Sequence, residues 1–421
     1  MKHLYLLLAA SFVFANCKSG QKMAAVLKGD DPLRTALRVR HADFDSVLAR
    51  PNVYEVQILY TQIDRDEFQR PHFTTYSIGA DSTRYFYPAS VVKLPLALLA
   101  LEKINYLNRN GYPRMSRETP YIIDSLRAFQ QKVVARKGAP GGKPSIGQDI
   151  REIFAASDNE AYNHLFEFMG REEINRALRE KGYLRTGIVH RFDFPGRANQ
   201  WSSPIRFFSP EDGGTIFRQA EVEDKSAWKN PQANTKKGTG YLDSRDSLVR
   251  APFDFSRKNW FSLYDMERML RAVIFPEATP VEQQFDLTAD DYQFLYKYMG
   301  GFPRECDHPT YEEAKYPDSY VKFLVFGDSK ARQDGSVRSF NKVGEAYGTL
   351  TDVAYIVDFQ HNVEFILAAT ILCNRDGVFN DNKYDYEATG YPFLAKLGRS
   401  LLEHERTRER KVKPDLSRFR R

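Results

Sequence analysis

Apolar positions along the chain follow two spacings, and each spacing predicts a different kind of element. Helical spacing predicts helices over residues 32–48, 90–101, 122–134, 146–154, 165–169, 174–178, 263–275, 289–299 and 393–401. Strand-like composition predicts strands over residues 53–63, 72–78, 323–326, 337–343, 353–359 and 363–372. Residues 185–260 and 300–320 have poor periodicity and are expected to be irregular. Because strands lie near both ends of the chain with helices between them, we expect an α+β fold in which the two ends share one sheet.

The segment from Ser90 to Leu101 is apolar almost all round, so we expect its helix to be buried. Ser90 and Lys93 are the polar exceptions near its start, and a spacing of three residues places them on the same helix face. An amine beside a hydroxyl can take the hydroxyl proton, and the positive helix N-terminus favours the developing alkoxide. The pattern is short, and Ser19 and Lys22 form a second copy near the N-terminus.

Two further motifs follow in order, Ser157-Asp158-Asn159 at the end of a predicted helix and Lys342-Val343-Gly344 in a predicted strand. Each has a purely structural interpretation, since Ser-Asp-Asn readily forms a helix-end turn and a lysine is common on an edge strand. The Lys-Thr-Gly-like run at 236–240 lies in a polar stretch without a strand pattern, so we discount it.

The three motifs together resemble the signature of class A β-lactamases and penicillin-binding serine hydrolases, and the resemblance covers about residues 53–405. It implies a β-lactamase/DD-peptidase-like fold. In that fold an antiparallel sheet is built from both chain ends and flanked by helices, with a mostly helical subdomain inserted between.

The resemblance also implies a role for each motif residue. Ser90 would form an acyl-enzyme, Lys93 would help to accept its proton, and Ser157 would relay a proton to the leaving nitrogen. The groups implied in substrate binding are Asn159, Lys342, Gly344 and Glu345, with backbone N–H groups of Ser90 and Glu345 forming the oxyanion hole.

Hydrolysis of the acyl-enzyme depends on a glutamate in class A enzymes, and this chain departs from that pattern. Arg191 and Phe192 match the family in type, but Asp193 stands where glutamate is expected and is one methylene shorter. Arg197 replaces an asparagine that helps to hold the water, and Val343 replaces a hydroxyl residue. Asp193 is interpreted as the base for that water or, alternatively, as an ion-pair partner of Arg191.

The N-terminus predicts export. Lys2 and His3 precede an apolar run that ends near Ala15, and Cys17 follows it, as at a bacterial lipoprotein cleavage site. We therefore expect a signal peptide over residues 1–17, with Cys17 as a lipidation site. The protein would be periplasmic or a membrane-anchored lipoprotein. Residues 18–50 would form a tether and an N-terminal helix, residues 51–405 the hydrolase domain with insertions at about 195–260 and 300–320, and residues 406–421 a basic tail.

The charge and the cysteine content of the chain limit the classes of partner and cofactor that we expect. The 421 residues carry a formal net charge of +6, much of it in the basic tail, which is expected to be solvated or to lie on a membrane surface. The sequence has no basic stripe interleaved with aromatic residues and no zinc-type Cys/His spacing, so we expect no nucleic-acid partner, metal or cofactor. Cys306 and Cys373 could form a disulfide in an oxidising compartment.

Three hypotheses follow from these observations. The leading one is an exported, monomeric serine hydrolase that opens a β-lactam ring through acyl-Ser90, with slow deacylation. The first alternative is a D-Ala-D-Ala carboxypeptidase acting on cell-wall peptides. The second is a surface lipoprotein that keeps the fold with little turnover.

Overall fold

A computed structural model describes residues 23–194 and 196–420 of the chain. The predicted signal peptide, Cys17 and the second Ser-x-x-Lys copy lie outside these residues. Within the described ranges, no helix has both the length and the apolar character needed to span a bilayer.

The described chain contains eleven α-helices and seventeen strands, most of the short strands lying between α7 and α8. The helices are α1 (Pro32–Arg38), α2 (Asp45–Leu48), α3 (Pro51–Tyr54), α4 (Lys93–Arg109), α5 (Ile146–Ala156), α6 (Asn159–Met169), α7 (Arg171–Glu180), α8 (Leu263–Ile274), α9 (Ala289–Met299), α10 (Phe323–Phe326) and α11 (Tyr391–Thr407). The strands are β1 (Gln57–Arg65), β2 (Pro71–Ile78), β3 (Tyr121–Ile123), β4 (Thr186–Gly187), β5 (Trp201–Ser202), β6 (Ile205–Phe208), β7 (Thr215–Gln219), β8 (Val222–Glu223), β9 (Lys236–Lys237), β10 (Gly240–Leu242), β11 (Leu248–Val249), β12 (Phe253–Asp254), β13 (Trp260–Phe261), β14 (Val337–Ala346), β15 (Thr349–Asp358), β16 (Val363–Leu372) and β17 (Val378–Phe379).

The central sheet has five antiparallel strands in the order β14-β15-β16-β1-β2. β1 pairs with β16 from Gln57 opposite Thr370 to Gln62 opposite Phe365, so the two chain ends meet inside one sheet. The α+β prediction, with a sheet shared between both ends, is confirmed. β14 is an edge strand, so its outer edge is not paired with another strand of the central sheet.

Strands β1, β15 and β16 of the sheet are buried on both faces, whereas the edge strand β2 is partly exposed. Neighbouring residues such as Ile58 and Leu59 belong to different hydrophobic cores because successive side chains point to opposite faces. One core joins the sheet to α4–α9, and the other joins it to α1 and α11. Full burial explains why these strands read as continuous apolar runs.

Helices α4, α5, α6 and α7 form the subdomain inserted between the first and last parts of the sheet. The side chain of Ser145 accepts a hydrogen bond from the backbone N–H of Gln148 and so caps α5. Gly170, at φ 76°, separates α6 from α7, and Gly182, at φ 77°, follows the end of α7. The predicted helices in this region are confirmed, with boundaries shifted by a few residues.

Three local predictions are wrong. Residues 32–48 form two short helices separated by a 3-10 turn rather than one helix, although Pro32 does occupy the first turn of α1. Residues 122–134 contain the end of β3 and irregular chain, not a helix. Residues 323–326 form a single turn in which Val325 has φ 77°, not a strand.

Residues 185–260 are not plain loops. They form strand pairs of two to five residues, including β6 with β7 and β9 with β12. A compact aromatic cluster holds part of this insertion against the domain, with Phe255 packed on Tyr87 at 5.8 Å between ring centroids.

The basic tail is not simply solvated. Leu416 and Phe419 are buried in the core on the helical side of the sheet, and Arg410 forms an ion pair with the buried Glu405. Cys306 and Cys373 are both buried free thiols, so the structure contains no disulfide between them.

Candidate active site

Ser90 lies in a 3-10 turn, Ala89–Val92, that leads directly into α4. Ala89 has φ 45°, a strained conformation for a residue with a side chain. Gly344 of β14 packs against this turn so closely that a Cβ added to it would lie 2.4 Å from the carbonyl oxygen of Pro88. The sheet edge and the serine turn are therefore in direct contact, and only glycine fits between them.

The Ser157 motif forms the two-residue turn between α5 and α6. Ser157 has φ 56°, and Asp158 caps α6 by accepting a hydrogen bond of 2.8 Å from the backbone N–H of Ala161. Arg136 binds the Asp158 carboxylate at 2.9 Å and also pairs with Glu152. The helix-end turn that the sequence suggested as an alternative does form, and it brings the Ser157 hydroxyl to the two lysines.

Two buried amino groups converge on Ser157. The Nζ of Lys93 donates to the Ser157 carbonyl oxygen, to Asn159 Oδ1 at 2.8 Å and to Ser157 Oγ at 3.3 Å. The Nζ of Lys342 donates to Ser157 Oγ at 2.9 Å and to the Val343 carbonyl oxygen at 2.9 Å. The structure therefore brings together the lysines of the first and third motifs, Lys93 and Lys342, with the hydroxyl of Ser157 and the side-chain amide of Asn159.

Burial disfavours charge on both lysines. Lys93 is fully buried, and desolvation together with the nearby Lys342 lowers its pKa well below the usual value for lysine. Desolvation lowers the pKa of Lys342 to about 7. Both amines are consequently more easily found neutral than an exposed lysine, and the neutral form can accept a proton.

Two cavities meet at Ser90. One of about 1140 Å³ is lined by Asp193 and by residues of the 185–260 insertion, and one of about 590 Å³ is lined by Ser157 and by residues 314–330. Ser90, Asn159 and Glu345 line both cavities. The serine is therefore at the junction of a cleft that extends to either side of it.

Asp193 is exposed in the larger cavity and has φ 59°. The residue before it, Phe192, is fixed on both sides. Asn163 accepts a hydrogen bond from its N–H at 2.9 Å and donates one to its carbonyl at 3.0 Å. The ring of Phe192 lies under the Lys93 amine, 5.1 Å from Nζ to the centroid. Asp193 thus follows a rigid residue that touches Lys93 of the first motif.

The alternative interpretation of Asp193 as the ion-pair partner of Arg191 is wrong. Arg191 is 1% exposed and pairs with Glu167. Its backbone N–H donates at 2.8 Å to Asn199, which lies two residues beyond Arg197. This asparagine supports the loop backbone, whereas Arg197, at the position where an asparagine was expected, is exposed and lines the cavity.

Sequence analysis predicted Asn159 but missed two supporting residues on α6, Asn163 and Glu167. Asn159, Asn163 and Glu167 are spaced by four and therefore share one helix face, which contacts the lysine site and the 190–203 loop. The signal was polar residues at helical spacing within an apolar helix, but their loop partners could not be identified from spacing alone.

The discounted Lys-Thr-Gly-like run lies elsewhere. Lys237 belongs to β9, which pairs with β12, and its amine forms an ion pair with Glu55 at 2.5 Å. Across residues 23–194 and 196–420, no three His, Cys, Asp or Glu side chains cluster as metal ligands.

Comparison with solved structures finds β-lactamases and a penicillin-binding protein at low identity. A beta-lactamase from Sphaerobacter thermophilus is 14% identical over 88% of this chain and 95% of its own, with a TM-score of 0.44. A beta lactamase from Xanthomonas campestris is 14% identical over 89% and 98%, with a TM-score of 0.46. The protein PBP-A is 12% identical over 88% and 94%, with a TM-score of 0.48. None of the curated proteins searched matches this chain.

The sequence profile of the beta-lactamase enzyme family matches residues 43–283, more than half of the chain. The matched segment contains Ser90, Lys93, Ser157, Asn159 and Asp193, and Lys342 lies beyond it. The chain belongs to the beta-lactamase enzyme family.

Proposed function

We propose that this protein is a serine hydrolase that opens β-lactam rings through an acyl-Ser90 intermediate and releases the product slowly. The observation that carries the proposal is the position of the Ser157 hydroxyl between the amines of Lys93 and Lys342, at 3.3 and 2.9 Å. One amine can activate the nucleophile while the hydroxyl between them passes a proton to the leaving nitrogen.

The acylation step balances with these groups alone. Lys93, whose pKa is lowered by burial, takes the proton from Ser90 Oγ in its neutral form as the oxygen attacks the ring carbonyl. Backbone N–H groups of Ser90 and Glu345 would stabilise the oxyanion. The C–N bond then breaks, the Ser157 hydroxyl gives its proton to the nitrogen, and a neighbouring ammonium replaces that proton.

Slow release follows from the residue at the position of the deacylating base. Asp193 is exposed and one methylene shorter than glutamate, so its carboxylate would reach less far toward the acyl-ester. A displacement of about 1 Å in a catalytic group can cost on the order of a hundredfold in rate. We therefore expect acyl-Ser90 to accumulate.

Peptidase activity on cell-wall peptides is the second candidate, and the cleft supports it. The cavities of about 1140 and 590 Å³ on the two sides of Ser90 exceed together what a drug-sized ligand of about 300–1000 Å³ fills. An extended peptide could occupy both cavities, with its scissile bond at Ser90.

Incubation with a fluorescent penicillin, followed by intact-mass measurement, tests the proposal. We expect a stable mass increase of one penicillin on the wild-type protein and none on Ser90→Ala. Ser46→Ala, which removes an exposed hydroxyl in α2, serves as a matched control and should be labelled like the wild type.

The kinetics separate the alternatives. Rapid appearance of opened product without accumulated label would indicate an efficient β-lactamase, and persistent label with release of D-alanine from a D-Ala-D-Ala peptide would favour the peptidase. Absence of label on the folded protein would refute acylation by β-lactams and leave the non-catalytic alternative.

A further inference from the structure

The larger cavity at Ser90 has a wall that the family motifs do not account for. Residues of the 185–260 insertion supply this wall, including Arg197, Trp228, Arg257 and Lys258. The position of this wall indicates which part of a substrate it would contact. Ser157, which would protonate the leaving nitrogen, lines only the smaller cavity, so the acyl part of a substrate would remain in the larger one with Asp193.

The wall is held rigidly against the Ser90 turn and against β14, which carries Lys342. Phe255 is 1% exposed and packs against Tyr87 and Tyr347 at 5.8 and 5.4 Å between ring centroids. Tyr87 precedes the serine turn, and Tyr347 directly follows β14. The backbone N–H of Lys258 donates to the Phe255 carbonyl at 2.9 Å, which fixes the turn that carries Arg257 and Lys258.

Trp228 is fixed as well. Its indole N–H donates to Asp224 at 2.8 Å, and the same carboxylate accepts a hydrogen bond from Arg171 of α7 at 2.5 Å. The guanidinium of Arg179 lies over the indole ring at 4.7 Å from its centroid. The wall therefore combines an anchored aromatic ring with nearby cationic side chains.

Three of the cations on this wall form no close ion pair. Arg171 and Arg191 also line the cavity, but they are paired with Asp224 and Glu167. Across the described parts of the chain, no carboxylate lies within 4.0 Å of the charged groups of Arg197, Arg257 or Lys258. The Lys258 amine instead lies 3.3 Å from the Tyr347 hydroxyl.

The carboxylates that share the cavity offset these cations only in part. Hydrogen bonds from Ser256 and, less strongly, the charges of Lys236 and Arg257 lower the pKa of Asp254. Asp254 accepts a hydrogen bond from the backbone N–H of Ser256 at 2.8 Å, and Glu345 binds the Tyr391 hydroxyl on the side of the smaller cavity. Asp193 lies near Lys93, whose positive charge it favours. The insertion side of the cavity consequently presents excess positive charge.

We propose that this wall is a subsite for a carboxylate on the acyl part of the substrate, bound by Arg257 and Lys258 with help from Arg197. The inference rests on the proposed acylation of Ser90 and adds a substrate class to it, namely acyl donors whose acyl portion is anionic. Bidentate contact with a guanidinium gives the carboxylate both charge and shape recognition, and the Trp228 ring offers the apolar part of the acyl group a surface to pack against.

Two penicillins test this directly, because carbenicillin is benzylpenicillin with one additional carboxylate on the acyl side chain. The measured quantity is the ratio of their second-order acylation rate constants. We expect the double variant Arg257→Gln/Lys258→Gln to lower the carbenicillin-to-benzylpenicillin ratio about fivefold, as for partly exposed ion pairs. Lys229→Gln, which removes an exposed charge of the same insertion outside the cavity, should leave the ratio and both rate constants unchanged.

An unchanged ratio in the double variant would overturn the subsite, even if both penicillins acylate Ser90. Acylation by neither penicillin would instead refute the proposed function. In that case the subsite is decided by calorimetric binding of the two penicillins to the wild-type and double-variant proteins. Preference for carbenicillin that is lost in the double variant supports the subsite, and equal binding or no binding overturns it.

Discussion

At the scale of single residues, the proposed reaction depends on how far the Asp193 carboxylate reaches toward acyl-Ser90. Phe192 is clamped by Asn163 and touches Lys93, so the backbone before Asp193 has little freedom to move the carboxylate closer. The length of the side chain then decides how well it can hold a water against acyl-Ser90.

Lengthening this side chain is the corresponding experiment. Asp193→Glu is expected to shorten the lifetime of the penicillin label about tenfold to a hundredfold, because it restores roughly 1 Å of reach. Stopped-flow labelling followed by mass measurement over time gives that lifetime. Asp30→Glu makes the same change at an exposed residue distant in sequence from Asp193, and it should leave the label lifetime as in the wild type. An unaltered lifetime in Asp193→Glu would remove Asp193 from deacylation.

Individual motif residues could be identified from the sequence because each motif is short and lies on or beside a regular element. Ser90, Lys93, Ser157, Asn159 and Lys342 needed only local spacing and order. Glu167 and Asn163 could not be identified, since their roles depend on a loop that reaches them from positions 190–203. The Arg191–Glu167 pair shows the difficulty, because the sequence offered Asp193 as the nearer acidic partner.

At the scale of elements, the site depends on the fit between β14 and the Ala89–Val92 turn. Gly344 has no room for a side chain against Pro88, Ala89 and Val91. The closeness of this contact sets the position of Lys342 and Glu345 relative to Ser90.

Gly344→Ala tests that fit. The added methyl group would force the strand and the turn apart, so we expect the acylation rate to fall by about a hundredfold or more and the stability to fall by about 1–3 kcal/mol. Labelling kinetics and urea unfolding measure the two effects. Gly214→Ala adds a methyl group in an exposed turn near only the flexible Asp212 side chain and should change neither. Wild-type kinetics in Gly344→Ala would show that the contact does not position the site.

Elements with sustained periodicity were predictable, and short ones were not. α9 was predicted to the residue because eleven residues carry a clear helical pattern. Strands of two residues, such as β9 and β12, contain no period that could be recognised. The apolar run at 323–326 is too short to distinguish a strand from a turn by composition.

At the scale of the whole molecule, the C-terminal segment closes the core of the helical side. Phe419 is 3% exposed and contacts the rings of Tyr296, Phe340 and Tyr355 at centroid distances of 5.0–5.2 Å. Sequence analysis assigned this region to solvent or a membrane surface because its many arginines hide two apolar anchors, Leu416 and Phe419.

Removing one anchor measures its contribution. Phe419→Ala is expected to lower the free energy of unfolding by about 3–5 kcal/mol, as for other buried phenylalanines. Denaturant unfolding followed by circular dichroism gives this quantity. Phe68→Ala, at a residue 69% exposed, should change it by less than about 0.5 kcal/mol. A similarly small change for Phe419→Ala would show that the tail does not stabilise the domain.

The pairing of β1 with β16 has a consequence for the timing of biosynthesis. A ribosome completes Ser90 and Lys93 long before Lys342, and β1 has its second neighbour only after residues 363–372 have been made. Such distant pairings delay folding, because the intervening polypeptide must first be brought together. A nascent or prematurely terminated chain that ends before β14 therefore carries Ser90 without the amine of Lys342, and we expect its Ser90 not to be acylated.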